Sequence, residues 1–326
     1  MIDLDPEKPR RLLAACPVYA ATPLDRRDGL WVKDETARMG LGAFKALGGV
    51  YAVGQLIADR MGRRLPPEEY RSEEVRAVAA GLTFSCASAG NHGMSVAAGA
   101  ALFGAQARIF LSAQVAQGFA DRLAAKGAEV VRVGATYEES VAAAIADAAA
   151  TGAVHLADGS WPGYTEPPRL VMEGYTVLAE EMREALARDG RWPGRVYLQA
   201  GVGGLAAAVA QRIRANWERQ PEIVVVEPEA APCLGASMAA GQLVTVEGPV
   251  SGMGRLDCKD ASMLAFDILR EVADRFVTVS EGAAEDAVRA ARGMGYATTP
   301  SGAAGLAAAL DARADDALVI LSEGDV

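Results

Sequence analysis

Residues that bind metals or form disulfides are scarce in this sequence. Its 326 residues include four cysteines and two histidines, and the cysteines lie far apart without a CxxC pair. A zinc site needs about four such ligands at close spacing, and a disulfide framework needs a short chain dense in cysteine. The composition argues against both and makes a reducing cytoplasm the expected location. The residues concerned are Cys16, Cys86, Cys233, Cys258, His92 and His155.

Long apolar segments without a charge are also missing. The most alanine-rich stretch, residues 141–154, is interrupted by Asp147 and falls short of the roughly 20 residues that a membrane span needs. The amino terminus lacks the basic-then-apolar order of a secretory signal. A net charge of −10 disfavours the phosphate backbone of nucleic acids. We therefore expect neither a membrane nor a nucleic acid as a partner.

The alternation of strand-like and helix-like segments predicts the fold. A chain of 326 residues exceeds the roughly 250–300 residues that one core usually serves, so we expect two packed units. From residue 79 onward, short β-rich runs alternate with alanine-rich runs, which is typical of parallel sheets flanked by helices. We therefore predict an α/β fold with two open, twisted, mostly parallel sheets. The expected strands are AVAAGLTFSC, ARIFL, EVVRVG, VYLQA, EIVVVEP and ALVILS, with helices near 92–104, 115–127 and 204–217.

A glycine-rich turn at residues 200–210, AGVGGLAAAVA, follows one predicted strand and opens an alanine-rich helix. Backbone N–H groups in such a turn, together with the positive end of the helix dipole, bind anions such as phosphate. The spacing of Gly201, Gly203 and Ala206, with Glu227 at the end of the next strand, also fits a dinucleotide-binding pattern. Phosphate binding is favoured over a purely structural role, and a nicotinamide oxidoreductase is an alternative.

Two further segments carry residues suited to chemistry. Ser88, Gly90 and Asn91 stand at a predicted helix start, where they can receive a carboxylate or a ring oxygen, or simply cap the helix. Lys45 lies among apolar and small residues, where burial would disfavour the ammonium and lower its pKa toward a value suited to imine chemistry. A single lysine can equally extend to solvent.

Taken together and in order, five motifs resemble the fold-type II pyridoxal phosphate enzymes, the tryptophan synthase β-like family. They are KDET, GAFKALGG, SAGNHG, GVGGL and SEG. Within that family, FKALGG with DGSWPGYTEPP and MEGY is most similar to diaminopropionate ammonia-lyases, and less so to serine/threonine dehydratases. The resemblance implies pyridoxal 5'-phosphate bound between two domains and a homodimer. The large domain would comprise residues 1–45 and 151–326, and the small domain, with the asparagine loop, residues 46–150.

The resemblance also implies a role for each matching residue. Lys45 would carry the cofactor as an imine and move the α-proton as a general base. Asp158, at a position that is acidic in diaminopropionate ammonia-lyases, would act as an additional base or contact the distal group of the substrate, or merely start a turn. Ser322 would face the pyridine nitrogen, with Ser301 as the alternative. The remaining contacts would be Phe44, Asn91, Gly201, Val202, Gly203, Gly204 and Leu205 for the cofactor, and Ser88, Ala89, Gly90 and His92 for the substrate.

The expected reaction is an α,β-elimination. A hydroxyl is a weaker proton source than a carboxylic acid, so a ring nitrogen facing serine stays largely neutral, which favours loss of a β-group over transamination. The substrate would resemble 2,3-diaminopropionate, serine or threonine, and the products would be a 2-oxo acid and ammonia. Ala89 stands where diaminopropionate ammonia-lyases carry an acid, which leaves the substrate open. A β-replacement synthase and a non-catalytic protein that binds the cofactor are alternatives.

Overall fold

The computed structural model describes residues 2–325 and contains the two sheets that the sequence predicts. Short 3-10 turns lie at Arg38–Gly40 and Pro67–Arg71. The helices and strands of the described residues are, in chain order, α1 (Glu7–Ala14), β1 (Leu24–Arg27), β2 (Leu30–Asp34), α2 (Lys45–Arg60), α3 (Glu73–Ala79), β3 (Thr83–Ala87), α4 (Asn91–Phe103), β4 (Gln106–Leu111), α5 (Gln117–Ala125), β5 (Glu129–Arg132), α6 (Tyr137–Thr151), β6 (Val154–His155), α7 (Glu166–Asp189), β7 (Arg195–Gln199), α8 (Gly204–Asn216), β8 (Glu222–Pro228), α9 (Cys233–Ala240), α10 (Met263–Val272), β9 (Arg275–Val279), α11 (Glu281–Gly293), α12 (Pro300–Asp311) and β10 (Ala317–Leu321).

The larger sheet has the strand order β1-β2-β10-β7-β8-β9. Only the β1–β2 hairpin is antiparallel, and the other neighbours run parallel. Strand β10 lies in the middle, with Leu318 opposite Trp31 of β2 and Val196 of β7. All five residues of β10 are buried, as a central strand covered on both faces requires.

The smaller sheet has the order β5-β4-β3-β6 and is parallel throughout. The predicted fold class is therefore confirmed. Of the expected strands, the run 77–86 forms a strand only from Thr83 onward, because residues 77–79 belong to the end of α3. Strand β6 pairs with β3 through Phe84 and Val154, so this sheet reaches past residue 150. The division of the chain into domains at residues 45 and 150 stays a prediction.

Two proline-rich segments join these elements. In the stretch 157–168, which is predicted to be a loop, α7 already begins at Glu166, and Pro167 and Pro168 lie in its first turn. Proline is tolerated there because the first N–H groups of a helix have no partner within it. The stretch 62–74, predicted as a surface excursion, contains a 3-10 turn whose Tyr70 is buried. Among residues 2–325, no helix has both the length and the apolar character that crossing a bilayer requires.

Small residues allow α2 to approach α4 and α7 closely. A Cβ atom on Gly48 would collide with the Tyr175 ring of α7, and one on Gly49 would collide with Ser95 of α4. Glycine is required where two backbones meet at this distance. The paired glycines of FKALGG therefore fix the position of α2, and Lys45 is its first residue.

A buried ionic cluster supports the segment before α2. The Arg38 guanidinium donates to Glu35 at 2.7 Å and to Glu181 at 2.6 Å, and the Lys33 ammonium donates to Glu181 at 2.6 Å. Burial opposes the charge of Arg38, but the carboxylates of Glu35 and Glu181 raise its pKa above the ordinary value. All four side chains are buried, so each charge depends on the others for compensation.

Replacing Arg38 should therefore cost far more stability than replacing an exposed arginine. Arg38→Met leaves two buried carboxylates with only Lys33 as a counter-charge, and we expect a loss of about 3–5 kcal/mol in the free energy of unfolding. Arg60→Met, at the exposed end of α2, should change it by less than about 1 kcal/mol. Urea unfolding measures both, and equal stabilities for the two variants would contradict the importance of the cluster.

Candidate active site

The carboxyl ends of β3, β7 and β10 meet the start of α2. Parallel α/β sheets bind ligands beyond the carboxyl ends of their strands, where loops and helix starts converge. At this place the structure brings together the segments singled out in the sequence. Contacts between them link residues far apart in the chain, as between Lys45 and Asp158 and between Asn91 and Glu323.

Lys45 and Asp158 form the central pair. The Lys45 Nζ donates to Asp158 Oδ2 at 2.5 Å, and the two side chains are 18% and 26% exposed. The ring of Phe44 packs edge-on against Tyr175, with centroids 4.8 Å apart. The ammonium is therefore held at the floor of a cleft that solvent can still reach, and it does not extend along the surface.

The pKa of Lys45 shifts in the direction opposite to the sequence expectation. Burial alone would lower it, as expected, but the adjacent carboxylate of Asp158 outweighs burial and raises the pKa above its ordinary value. In Asp158, burial favours the neutral acid, but Lys45 and then His92 hold the pKa below the usual range. The expectation of a lowered lysine pKa was wrong because it considered burial without this partner.

The glycine-rich turn lies at a helix start, where the sequence predicts an anion cradle. It follows β7, and Gly203 adopts a φ of +101° at the N-cap of α8, which begins at Gly204. A Cβ on Gly203 would lie 2.9 Å from Ala265 and from Leu234, and one on Gly201 would lie 3.0 Å from Cys258 Sγ. Residues with side chains rarely adopt this backbone conformation. The turn leads into the start of α8, and the backbone N–H groups at a helix start commonly bind phosphate.

A side chain at position 203 should disrupt this cradle. We expect Gly203→Val to lose about 1–3 kcal/mol of stability through backbone strain and overpacking, and to weaken pyridoxal phosphate binding at least tenfold. Gly254→Ala is the control, since a Cβ there meets nothing within 4 Å. Urea unfolding of the cofactor-free protein and titration with pyridoxal phosphate separate the two effects. Unchanged cofactor affinity would remove this turn from the binding site.

The asparagine loop reaches across the cleft. Asn91 is the first residue of α4, and its Nδ2 donates to the carboxylate of Glu323, just after β10. The other oxygen of Glu323 accepts from Thr299 Oγ1 at 2.5 Å. The contact of Asn91 with Glu323 was not foreseen, and its contact with the cofactor ring stays a prediction.

The two candidate serines near β10 differ in their hydrogen bonds. Ser301 Oγ accepts from the backbone N–H of Arg255 at 3.1 Å. Ser322 is anchored through its backbone, whose carbonyl accepts from Phe44 N–H at 3.0 Å, and within residues 2–325 no hydrogen bond involves its hydroxyl. Ser322 therefore has the freer hydroxyl, and its role toward the pyridine nitrogen stays a prediction.

Of the predicted substrate residues, three are half-buried and one is buried. Ser88, Ala89 and Gly90 are half-buried at the tip of the loop, and Gly90 N–H donates to Ser88 Oγ at 3.3 Å. His92 is only 4% exposed, and its Nε2 lies 2.7 Å from the Leu156 carbonyl oxygen. Burial lowers the pKa of His92. The ring thus lies beneath the loop, and substrate contact by His92 stays a prediction.

Three residues of the site were missed in the sequence, although two of them stand within the motifs. Tyr175, in MEGY, is 1% exposed, and its buried hydroxyl has no hydrogen-bond partner among residues 2–325. Glu323 belongs to SEG. Arg255 follows the exposed Gly254 and carries no sequence signal of its own.

The arrangement fits pyridoxal phosphate. A lysine at the cleft floor, a glycine cradle at a helix start and free hydroxyls on Tyr175 and Ser322 match the aldehyde, phosphate and polar ring atoms of this cofactor. The sequence matches the family described as "Pyridoxal-phosphate dependent enzyme" over residues 12–323. The chain belongs to this family. The expected family and cofactor are thereby confirmed.

Relatives within the family include ammonia-lyases. The chain is 34% identical over 306 residues to a diaminopropionate ammonia-lyase of Escherichia coli (strain K12), covering 88% of this chain and 76% of that protein. It is 31% identical to a probable D-serine dehydratase of Burkholderia thailandensis, over 82% and 64% of the two chains. A crystal structure of the E. coli lyase in complex with an aminoacrylate-PLP azomethine reaction intermediate superposes with a TM-score of 0.86 at 30% identity, covering 98% of this chain and 88% of that one. These matches confirm the expected class, a pyridoxal-phosphate-dependent lyase.

The nicotinamide alternative loses its support. Glu227, the residue that would bind a ribose, accepts from the backbone N–H groups of Leu234 and Gly235 at 2.7 and 2.8 Å and is 1% exposed. Burial raises its pKa to about 7. The Glu227 carboxylate is thus already hydrogen-bonded to the start of α9. The family match also covers the glycine turn on which the nicotinamide alternative rests.

Proposed function

We propose that this family member is an ammonia-lyase that removes a group from the β-carbon of a small polar amino acid and releases a 2-oxo acid and ammonia. The observation that carries the proposal is the Lys45–Asp158 pair, 2.5 Å apart, at the floor of a cleft bordered by the glycine cradle and the asparagine loop. A base and an acid in contact can pass a proton between the α-carbon and the leaving group.

Each residue then has a task. Bound pyridoxal phosphate supplies an electron sink that makes the α-hydrogen of an amino acid acidic. Lys45 would hold the aldehyde of the cofactor, and its Nζ would take that α-proton. Asp158 holds Nζ in place and accepts or returns a proton on the side of the leaving group. Gly201, Val202, Gly203, Gly204 and Leu205 hold the phosphate, and the loop 88–91 orients the substrate carboxylate and the ring.

The substrate is proposed to be 2,3-diaminopropionate or a 3-hydroxy amino acid such as serine. Relatives named for diaminopropionate and for D-serine support both. Ala89 contributes only a methyl group beside Asn91, so it cannot move protons. Asp158, ionised beside Lys45, is then the carboxylate left to relay a proton from Lys45 to the leaving group, which suffices for a leaving group that needs a single proton.

Release of 2-oxo acid from candidate amino acids tests the proposal. We expect the yellow holoprotein to form a 2-oxo acid without an added acceptor, with one ammonia per oxo acid from D- or L-serine and two from 2,3-diaminopropionate. Product that appears only with a thiol or amine acceptor, and no oxo acid, would instead identify a β-replacement synthase. Cofactor binding without turnover of any amino acid would identify a non-catalytic protein.

Two general properties are part of the proposal. We propose that the protein works as a homodimer in the cytoplasm, as the family resemblance and the few separated cysteines suggest. Light scattering of the purified protein measures the mass, and a monomer at micromolar concentration would contradict the dimer.

A further inference from the structure

Arg255 extends from the large sheet's side of the cleft to the asparagine loop. Its backbone is fixed, since its N–H donates to Ser301 Oγ at 3.1 Å and its carbonyl oxygen lies 3.2 Å from the Cβ position of Gly201. Its side chain crosses to the smaller sheet's side. Cδ and Nε lie 3.5 Å from the Cβ position of Gly90, and Cζ lies 5.8 Å from the centroid of Phe119 in α5.

The guanidinium of Arg255 has unused donors. Its Nε is buried without a hydrogen-bond partner among residues 2–325. It lies 3.6 Å from Glu323 Oε2, which is too long for a hydrogen bond. Glu323 already accepts from Asn91 and Thr299. Within the described part of the chain, no hydrogen bond involves the terminal nitrogens of Arg255 either, and its side chain is 32% exposed.

A planar cation with free donors beside a substrate loop is suited to a carboxylate. Guanidinium groups bind carboxylates through two parallel N–H···O bonds. Leaving a buried donor such as Nε without a partner is unfavourable, and a ligand that supplies an oxygen removes that cost. Gly90, against which Arg255 lies, belongs to the loop where the proposed function places the substrate carboxylate.

We propose that Arg255 binds the α-carboxylate of the amino-acid substrate together with the loop Ser88–Gly90. This inference rests on the proposed function for the position of the substrate. Because Arg255 is anchored on one side of the cleft and Gly90 lies on the other, the bound carboxylate would join the two sides. Arg255 would thus select amino acids over the corresponding amines and amides.

A comparison of serine and 2,3-diaminopropionate with their amides tests the inference. The readout is the change in the absorption of the bound cofactor immediately after rapid mixing, before elimination consumes the ligand, and its concentration dependence gives a dissociation constant. In Arg255→Gln we expect this constant to rise about 10–100-fold for the amino acids, as loss of a charged hydrogen-bond pair implies, and less than threefold for the amides. The constants of Arg255→Lys should lie between those of the wild type and Arg255→Gln, since lysine keeps the charge but not the planar pair of N–H donors. Arg122→Gln, which removes another cation near Phe119 (4.7 Å), should leave all constants unchanged.

The outcomes separate this inference from the proposed function. An equal loss for acids and amides in Arg255→Gln, or no loss for either, would overturn the role of Arg255. If the wild type binds amino acids but releases no 2-oxo acid, the proposed elimination fails while the acid-amide comparison still decides on Arg255. If the wild type responds to no amino acid at all, both proposals are wrong.

Discussion

Lys45→Ala protein is expected to lack the yellow colour of the bound cofactor and to form no adduct that borohydride can reduce. Its turnover should fall by about 10⁴-fold or more, the upper range for a catalytic base. The reason is that Lys45 is both the amine placed to hold the cofactor and the base placed for the α-proton. Its Nζ is the cation in contact with Asp158, at 2.5 Å. The measurement is the rate of 2-oxo acid release, together with peptide mapping of the wild type after borohydride reduction.

The control for this variant is another lysine. Lys126→Ala, at the end of α5, should keep full colour and full turnover. Peptide mapping of the reduced wild type should place the cofactor adduct on the peptide that contains Lys45. An adduct on a different lysine, or retained turnover in Lys45→Ala, would contradict the whole assignment of the site.

Asp158→Asn should lower kcat by about 10²–10⁴-fold, the range for loss of a general acid or base. Asparagine keeps the shape of the side chain but cannot accept or return a proton. Cofactor loading should persist, because Lys45 and the cradle are intact. Asp260→Asn is a matched control, since among residues 2–325 its carboxylate accepts only from Thr245 Oγ1, at 2.5 Å, in a neighbouring loop. A raised KM at unchanged kcat would instead show that Asp158 contacts the distal group of the substrate.

The same variant should alter the pH dependence of cofactor binding. The carboxylate of Asp158 raises the pKa of Lys45, and only the neutral amine attacks an aldehyde. Removing the carboxylate lowers the lysine pKa, so more of the amine is neutral at neutral pH and adduct formation should be faster there. The rate, which rises with pH, should reach its plateau at a lower pH than in the wild type. Stopped-flow absorbance of the cofactor-free protein mixed with pyridoxal phosphate measures this. A pH profile that does not move would show that the pair is not coupled in solution.

The sequence predicted the interior of the fold better than its edges. Strand β10 is apolar throughout and β8 has the apolar run IVVV at its centre, so their signal is strong. Strands β1 and β9 lie at the two edges of the large sheet and are mostly half-exposed or exposed. Their side chains face solvent, and the alternation that identifies a strand is therefore weak.

The candidate site was predictable where its residues form local motifs and not where they meet across the fold. Lys45, Asn91 and the turn 201–205 stand in glycine-rich or small-residue segments with a recognisable order. The direction of the Lys45 pKa shift depends on Asp158, 113 residues away. Likewise, Arg255 becomes meaningful only because folding places it against Gly90. Neither relation can be predicted from the spacing of the residues in the sequence.

The central place of β10 in the larger sheet has a consequence for protein synthesis. Backbone bonds tie the residues just after it to the segment before Lys45, from Phe44 N–H to Ser322 and from Gly324 N–H to Gly42. A nascent polypeptide that still lacks β10 therefore has a gap between β2 and β7 and an unsupported lysine. The ability to capture vitamin B6 should thus arise only after β10 has left the ribosome, so chains stalled before β10 should not carry the coenzyme.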